Sequence, residues 1–221
     1  MLKFRWETEF EETEIGEISR DWEVKRLGSI LDIKHGYAFP SKFFKEIGEV
    51  PVIKIQNIQE DNSIDLKDIQ FINPYEINKN LENFYLENGD ILIALTGATA
   101  GKIGILKGDY QKYLLNQRVG KIEIKDNSSL LLFVFYCLIY EVYRDWLLDL
   151  AEGSAQGNMS PSDIRRYIII PYPPLPEQSR IAEVLSYFDD LIENKKRQNE
   201  ILEKTAMAIF KNWFVDFEPF K

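Results

Sequence analysis

The C-terminal segment carries the pattern that most restricts what this chain can become. Ile181, Leu185, Phe188, Ile192, Lys195, Asn199, Leu202, Ala206, Ile209 and Trp213 follow one another at alternating steps of four and three. A 3.5-residue spacing keeps one stripe of a helix turned toward a neighbouring helix along its whole length, so these residues are expected to form an oligomer interface. Lys195 and Asn199 are the polar members of the seam, and polar seam positions select register and orientation at some cost in stability. A helix from Glu177 to about Phe214 would be roughly 57 Å long at 1.5 Å per residue, more than one small domain needs to cover its own core. Just before it, Pro171 to Pro176 (PYPPLP) holds four prolines. Each fixes φ and lacks a backbone donor, which predicts a stiff hinge. The chain therefore divides at this point, into a domain over residues 1–172 and a helix over 173–221.

The first part reads as mainly β. Trp22 to Ile33 places Val24, Leu27, Ile30 and Leu31 on one face and predicts a short helix or a strand-helix corner. Short β-branched runs bounded by Gly, Asn or Asp then follow at Val50 to Gln56, Ile69 to Ile72, Asp90 to Leu95, Lys102 to Leu106 and Gln117 to Ile124, the signature of a mixed or antiparallel sheet. From Ser129 to Leu150 the period changes to 3.6, with Leu132, Phe135, Tyr136, Ile139, Val142, Tyr143, Trp146 and Leu147 on one wide apolar face, which predicts a core helix. Residues 153–161 (GSAQGNMSP) read as a surface loop leading to a short strand at Tyr167 to Ile170. The fold class is α+β: a mainly-β domain with packed helices, followed by a long helix of coiled-coil type.

Several functions are disfavoured. The longest apolar run, Leu130 to Tyr140, is about half of the roughly 20 residues a membrane span requires. The Glu-rich N-terminus resembles neither a secretory signal nor a transit peptide, so a cytoplasmic protein is expected. One cysteine, Cys137, and one histidine, His35, exclude an internal disulfide and leave too few soft ligands for an ordinary zinc site. The net charge of −9 argues against non-specific nucleic-acid affinity, most of which comes from phosphate neutralisation. Acids outnumber bases in residues 1–20, 21–175 and 176–221 alike. Any DNA surface must then be a local patch, or the chain must work beside partners that supply positive charge.

Three stretches imitate catalytic motifs. Asp90 to Lys102 (DILIALTGATAGK) runs from an apolar strand into a Gly-rich loop. However, Gly97 and Gly101 are separated by three residues rather than four, Ile103 follows the lysine, and the next segment reads as a strand, so nucleotide binding is not expected. A hairpin turn explains the stretch, and Thr96, Thr99 and Lys102 in it could hold a DNA phosphate. Asp109 with Glu123 and Lys125 faintly resembles the acid, acid, lysine set of a magnesium-dependent nuclease. This is the alternative enzyme reading, and a solvated strand end explains the same residues. Asn73-Pro-Tyr75 is similar to an amino-methyltransferase loop but lacks its second proline and any cofactor turn. Neither a cofactor nor a bound metal is expected.

Polar clusters in loops offer the better chemistry. Lys34, His35, Tyr37 and Ser41 form the first, Gln56 and Asn57 the second, Asn116, Gln117 and Arg118 the third, and Gln156, Asn158 and Ser160 the fourth. Arginine can fork onto guanine, and Asn or Gln onto adenine, in the major groove of double-stranded DNA. Loops are also where binding residues concentrate.

Family resemblance enters with these residues. TEIGEISRDW (Thr13 to Trp22) with Val24 to Leu27, VIKIQNI (Val52 to Ile58), NGDIL (Asn88 to Leu92) and NQRV (Asn116 to Val119) resemble motifs of the specificity subunits of type I restriction-modification enzymes. The most specific is PPLPEQSRIA (Pro173 to Ala182) with Leu185, Asp189 and Ile192, which resembles the start of the family's spacer helix. The resemblance implies a non-catalytic DNA-binding subunit that directs adenine methylation, and restriction, to a split target. It also implies assembly with modification (methyltransferase) subunits and opens the way to a restriction subunit. A full-length member would carry two recognition domains separated by antiparallel helices, whereas this chain has one of each. It is therefore expected to pair with a copy of itself as a homodimer through the C-terminal helix, or to be one half of a longer subunit. A coiled-coil scaffold with no DNA role is the remaining alternative.

Overall fold

The computed structural model describes residues 9–126, 130–152 and 158–218. The chain forms two compact units, Met1–Gln178 and Ser179–Lys221.

In the first unit a hairpin of β1 (Phe10–Thr13) and β2 (Gly16–Ser19) precedes β3 (Glu23–Arg26), a single helical turn α1 (Leu27–Ile30), and β4 (Leu31–His35). The strand-helix corner expected at Trp22 to Ile33 is thus present, with Leu27, Ile30, Leu31 and Ile33 buried. Then come β5 (Val50–Ile53), β6 (Gln70–Ile72), β7 (Tyr85–Leu86), β8 (Ile91–Ala94), β9 (Ile103–Ile105), β10 (Tyr113–Leu115) and β11 (Val119–Ile124). They build two four-stranded sheets, in the orders β6-β5-β10-β7 and β4-β11-β8-β9. All neighbours are antiparallel except β5 and β10, which run parallel with Leu114 opposite Val52.

Strand alternation explains how these sheets share one core. In β5 all four side chains are buried. Ile53 points into a cluster with Leu92, Ala94, Leu115 and Val119, which joins the two sheets. Val50 and Val52 point the opposite way, into a cluster with Phe39, Ile72, Ile77, Leu81 and Leu114, rimmed by Tyr37, Phe43, Phe44, Phe84 and Tyr85. An unbroken apolar run fits a strand buried on both faces.

Three local expectations are corrected. The single helix expected over Ser129 to Leu150 is two, α2 (Leu131–Ile139) and α3 (Glu141–Glu152). Tyr140 separates them with an extended ψ of 141°. The apolar face looked wide because the helices bury different faces: α2 buries Phe133, Val134, Phe135 and Leu138, whereas α3 buries Tyr143, Leu147 and Ala151 at steps of four. The strand expected at Tyr167 to Ile170 begins later. α4 (Pro161–Tyr167) is capped by the Ser160 hydroxyl accepting from Ser162 N–H, and β12 (Ile169–Tyr172) follows. β12 pairs with β3 in a two-stranded sheet, where Pro171 is tolerated because each strand leaves one edge unpaired. The proline stretch therefore interrupts regular structure only at Pro173 and Pro174, and α5 (Leu175–Phe210) starts earlier than its expected Glu177. In its first turn Gln178 is fully buried, accepting from Leu130 N–H at 3.0 Å and donating to Pro173 O at 2.9 Å. Trp22 Nε1 donates to Glu177 Oε2 at 2.7 Å.

In the second unit α5 continues to Phe210 and passes into a wider turn over Lys211–Val215. Its 36 residues span about 54 Å. Leu185, Phe188, Ile192, Leu202, Ile209 and Trp213 of the seam are exposed, as are Lys195, Asn199 and Ala206, with Ile181 half-buried. No helix of the described residues is long and apolar enough to cross a membrane.

Candidate nucleic-acid interface

Strand direction gathers the loop clusters. In the order β4-β11-β8-β9 every neighbour is antiparallel, so the end of β4, the start of β11, the end of β8 and the start of β9 lie at the same edge. That edge carries His35, Arg118, Thr96 and Lys102. In the other sheet the parallel pair β5 and β10 ends on Ile53 and Leu115, which brings Lys54 to Asn57 beside Asn116.

The Asn116-Gln117-Arg118 turn, which carries the chain from β10 into β11, lies at the centre of this arrangement. Asn116 N–H donates to Ile53 O at 3.1 Å, Gln117 N–H to Tyr37 O at 3.0 Å, and Tyr37 N–H to Leu115 O at 2.9 Å. Leu95 N–H donates to Arg118 O at 3.0 Å, and Met159 N–H to Leu95 O at 2.8 Å. Asn158 pairs with Thr96 as an isolated antiparallel bridge, and Tyr37 with Asn116 as a parallel one. Residues more than a hundred positions apart thus share one backbone network. Gly36 makes the crossing possible, since a Cβ there would stand 2.2 Å from Asn116 O.

His35, Gln56, Gln117, Arg118 and Asn158 are exposed at this end, with Tyr37 and Asn116 half-buried. Several other expected site residues have structural work. Lys34 sits on the sheet face and pairs with Glu123 at 2.5 Å. Asn57 is buried, its Oδ1 accepting from Lys54 N–H and its Nδ2 donating to Asp65 O, both at 2.8 Å. Ser41 opens an exposed turn over Ser41–Phe43, and Ser160 caps α4. Gln156 lies outside the described residues. Lys102 pairs with Glu60 at 2.9 Å, and Arg144 of α3 binds the same carboxylate. The Lys102 hydrogen bond, helped by both positive charges, holds Glu60 below the ordinary carboxylate range. Among the described residues Thr96 Oγ1 and Thr99 Oγ1 are shielded from solvent without a hydrogen-bond partner, so neither hydroxyl is presented to a phosphate at the surface.

The catalytic look-alikes resolve into structure. Gly97 and Gly101 adopt positive φ, 74° and 86°, in a tight turn that returns as β9 rather than as a helix. Glu123 pairs with Lys34 and Lys121, and the Lys125 ammonium bonds the Gly28 carbonyl. Asn73 accepts from Glu49 N–H at 3.1 Å and donates to Glu76 at 2.9 Å. Among the described residues no group of three His, Cys, Asp or Glu side chains could hold a metal ion.

Sequence reasoning missed Lys79, whose ammonium stands 4.4 Å from the centre of the Tyr37 ring. It also missed Glu60 as the partner that occupies Lys102, and Arg144 as the second cation on that carboxylate. Nothing local marks these residues, because each contact joins segments at least forty positions apart.

The type I restriction modification DNA specificity domain family matches residues 19–204. Among curated proteins, the type I restriction enzyme MjaIX specificity subunit of Methanocaldococcus jannaschii is 39% identical over all of this chain and 50% of its own length. The HindI specificity subunit of Haemophilus influenzae is 28% identical over 90% of this chain and 42% of its own length. The chain thus spans about half the length of the curated relatives it matches. Among solved structures, a type I restriction-modification S subunit from M. genitalium superimposes with a TM-score of 0.63 at 21% identity, covering 87% of this chain and 46% of that one. The HsdS subunit from Thermoanaerobacter tengcongensis does so with a TM-score of 0.59 at 18% identity, covering 93% and 47%.

Proposed function

The chain belongs to the type I restriction-modification DNA specificity family, and from that premise we propose that it reads one half of a split duplex target and has no catalytic centre of its own. The observation that carries this reading is the convergence of Tyr37, Gln56, Asn116, Arg118 and Asn158 at one end of both sheets. Arg118 has the fork geometry that matches guanine, and Gln56, Gln117 and Asn158 carry the amides that match adenine. Residues 1–172 act as the target-recognition domain, and residues 173–221 as the spacer and dimerisation helix.

The partners follow from the chemistry left undone. Methylating an adenine requires a methyl donor and a base flipped from the duplex, which modification subunits supply, and a restriction subunit adds cleavage. Two copies of this chain pair through the exposed seam of α5. A two-fold protein reads a two-fold DNA site, so the expected target is a split palindrome. Such a subunit works in the cytoplasm, where the chromosome is.

The test is to co-express the chain with the methyltransferase encoded beside it and to map adenine methylation across the host genome by single-molecule sequencing. A split palindromic motif is the expected result. An asymmetric split motif overturns self-pairing, and no new methylation from an intact complex overturns the specificity reading.

A further inference from the structure

The chain is acidic overall, and several of its cations pair with carboxylates where they lie. Lys34, Lys45, Lys102, Lys121, Arg144 and Arg165 all pair with carboxylates. One region departs from this. Along the rim of the apolar cluster of Phe39, Val52, Ile72 and Leu114, lysines rest on aromatic faces instead. Lys79 lies 4.4 Å from the Tyr37 ring centre and 5.3 Å from that of Phe84, Lys42 4.9 Å from Phe43, and Lys112 5.0 Å from Tyr85. All three are exposed, and none takes part in an ion pair among the described residues. Glu49 and Glu82 lie near enough to raise the Tyr85 pKa, although burial is the larger cause, and neither pairs with these lysines. Lys54, 3.6 Å from the Phe44 ring centre, is half-buried and bonded to Gln70, so it belongs to the frame of the patch rather than to its surface.

The aromatic seats make this a built feature. A ring face attracts an ammonium without cancelling its charge, and it holds the long stem in place at less entropic cost on binding. Tyr37 packs edge-on against Phe39 at 5.0 Å and tilted against Phe84 at 5.4 Å, which braces the two rings that seat Lys79. Val50 and Val52 of β5 lie beside β10, with Val52 opposite Leu114. Lys112 therefore sits near the start of β5. The patch is continuous with the reading loops, because Tyr37 seats Lys79 on one side and bridges to Asn116 on the other.

We propose that Lys42, Lys79 and Lys112 form a sequence-independent phosphate track, which grips the backbone of duplex DNA alongside the loops that read its bases. This rests on the DNA-reading function proposed above. The test uses the full chain and random-sequence duplex DNA, with binding measured over a range of salt concentrations. Each B-DNA phosphate that the protein no longer neutralises lowers the slope of log K against log salt by about 0.9. Changing Lys42, Lys79 and Lys112 together to Gln is expected to reduce that slope by about 2 to 3, and the Arg triple variant is expected to restore it. Because Gln and Arg keep the stems over the rings, circular dichroism should match the wild type. A wild-type chain that binds while the Gln variant keeps its slope overturns the phosphate track and leaves the DNA-reading function standing. A wild-type chain that binds no duplex DNA at any salt, alone or together with its methyltransferase, overturns both.

Discussion

At the scale of single residues, the interface depends on a few positions where no other side chain fits. Gly36 lies where β4 crosses the β10–β11 turn, and a Cβ there would meet Asn116 O at 2.2 Å and Leu115 O at 2.3 Å. Backbone atoms cannot step aside as a flexible side chain can, so Gly36→Ala should cost roughly 1–3 kcal/mol or more, in the range for overpacking. Denaturant unfolding measures this, and an unchanged midpoint would show that the crossing is loose. Cys137 is half-buried on α2. Burial pushes its thiol up to about 12 from 9.0, so the folded state resists losing the proton. Its contribution to stability is complete below the unfolded value near 9 and drains away as pH climbs toward 12. At neutral pH iodoacetamide should label it slowly in the folded chain and rapidly once denaturant is added, and equal rates would place the thiol at the surface.

At the scale of elements, α5 is the clearest case of a segment that cannot cover its own apolar surface. Besides the seam, Val184, Tyr187, Leu191, Ile201, Met207 and Phe210 are exposed, so the apolar band is wider than the single stripe of the 3.5-residue repeat. Such a band is stable in water when other helices cover it. Leu185→Asp combined with Leu202→Asp should turn a self-associating chain into a 25.9 kDa monomer in analytical ultracentrifugation, while the β-rich first unit keeps its circular dichroism. A wild type already monomeric at tens of micromolar, and still monomeric in complex with its methyltransferase, would rule out pairing through this helix.

At the scale of the whole molecule, charge limits how the proposed DNA reading can work. With a net charge of −9, long-range attraction to a polyanion is absent, and affinity must come from short-range contacts of a local patch. The isolated chain should bind DNA weakly at physiological salt. Adding the modification subunit should tighten binding severalfold or more in a fluorescence anisotropy titration. Equal affinity with and without it would show that the chain carries the whole DNA grip alone.

The sequence alone determined whatever depends on neighbours in the chain. Short β-branched runs marked β5, β6, β8, β9 and β11, the 3.5-residue repeat marked α5, and the PPLPEQSRIA stretch marked the family, because each signal lies within one element. Short elements escaped it: β7 and β10 have two and three residues, and they are strands because partners complete them. The break at Tyr140 escaped as well, since two short helices with apolar faces in succession look like one long one. Tertiary structure alone decided which polar residues share a surface. It brought Asn158 to Thr96 and Tyr37 to Asn116, and set Lys79 over Tyr37. It also drew Asn57 into a buried turn and Lys102 onto Glu60. Those assignments depend on strand order and direction, which follow from burying one shared apolar core, and the residues that meet there carry no local mark of having met.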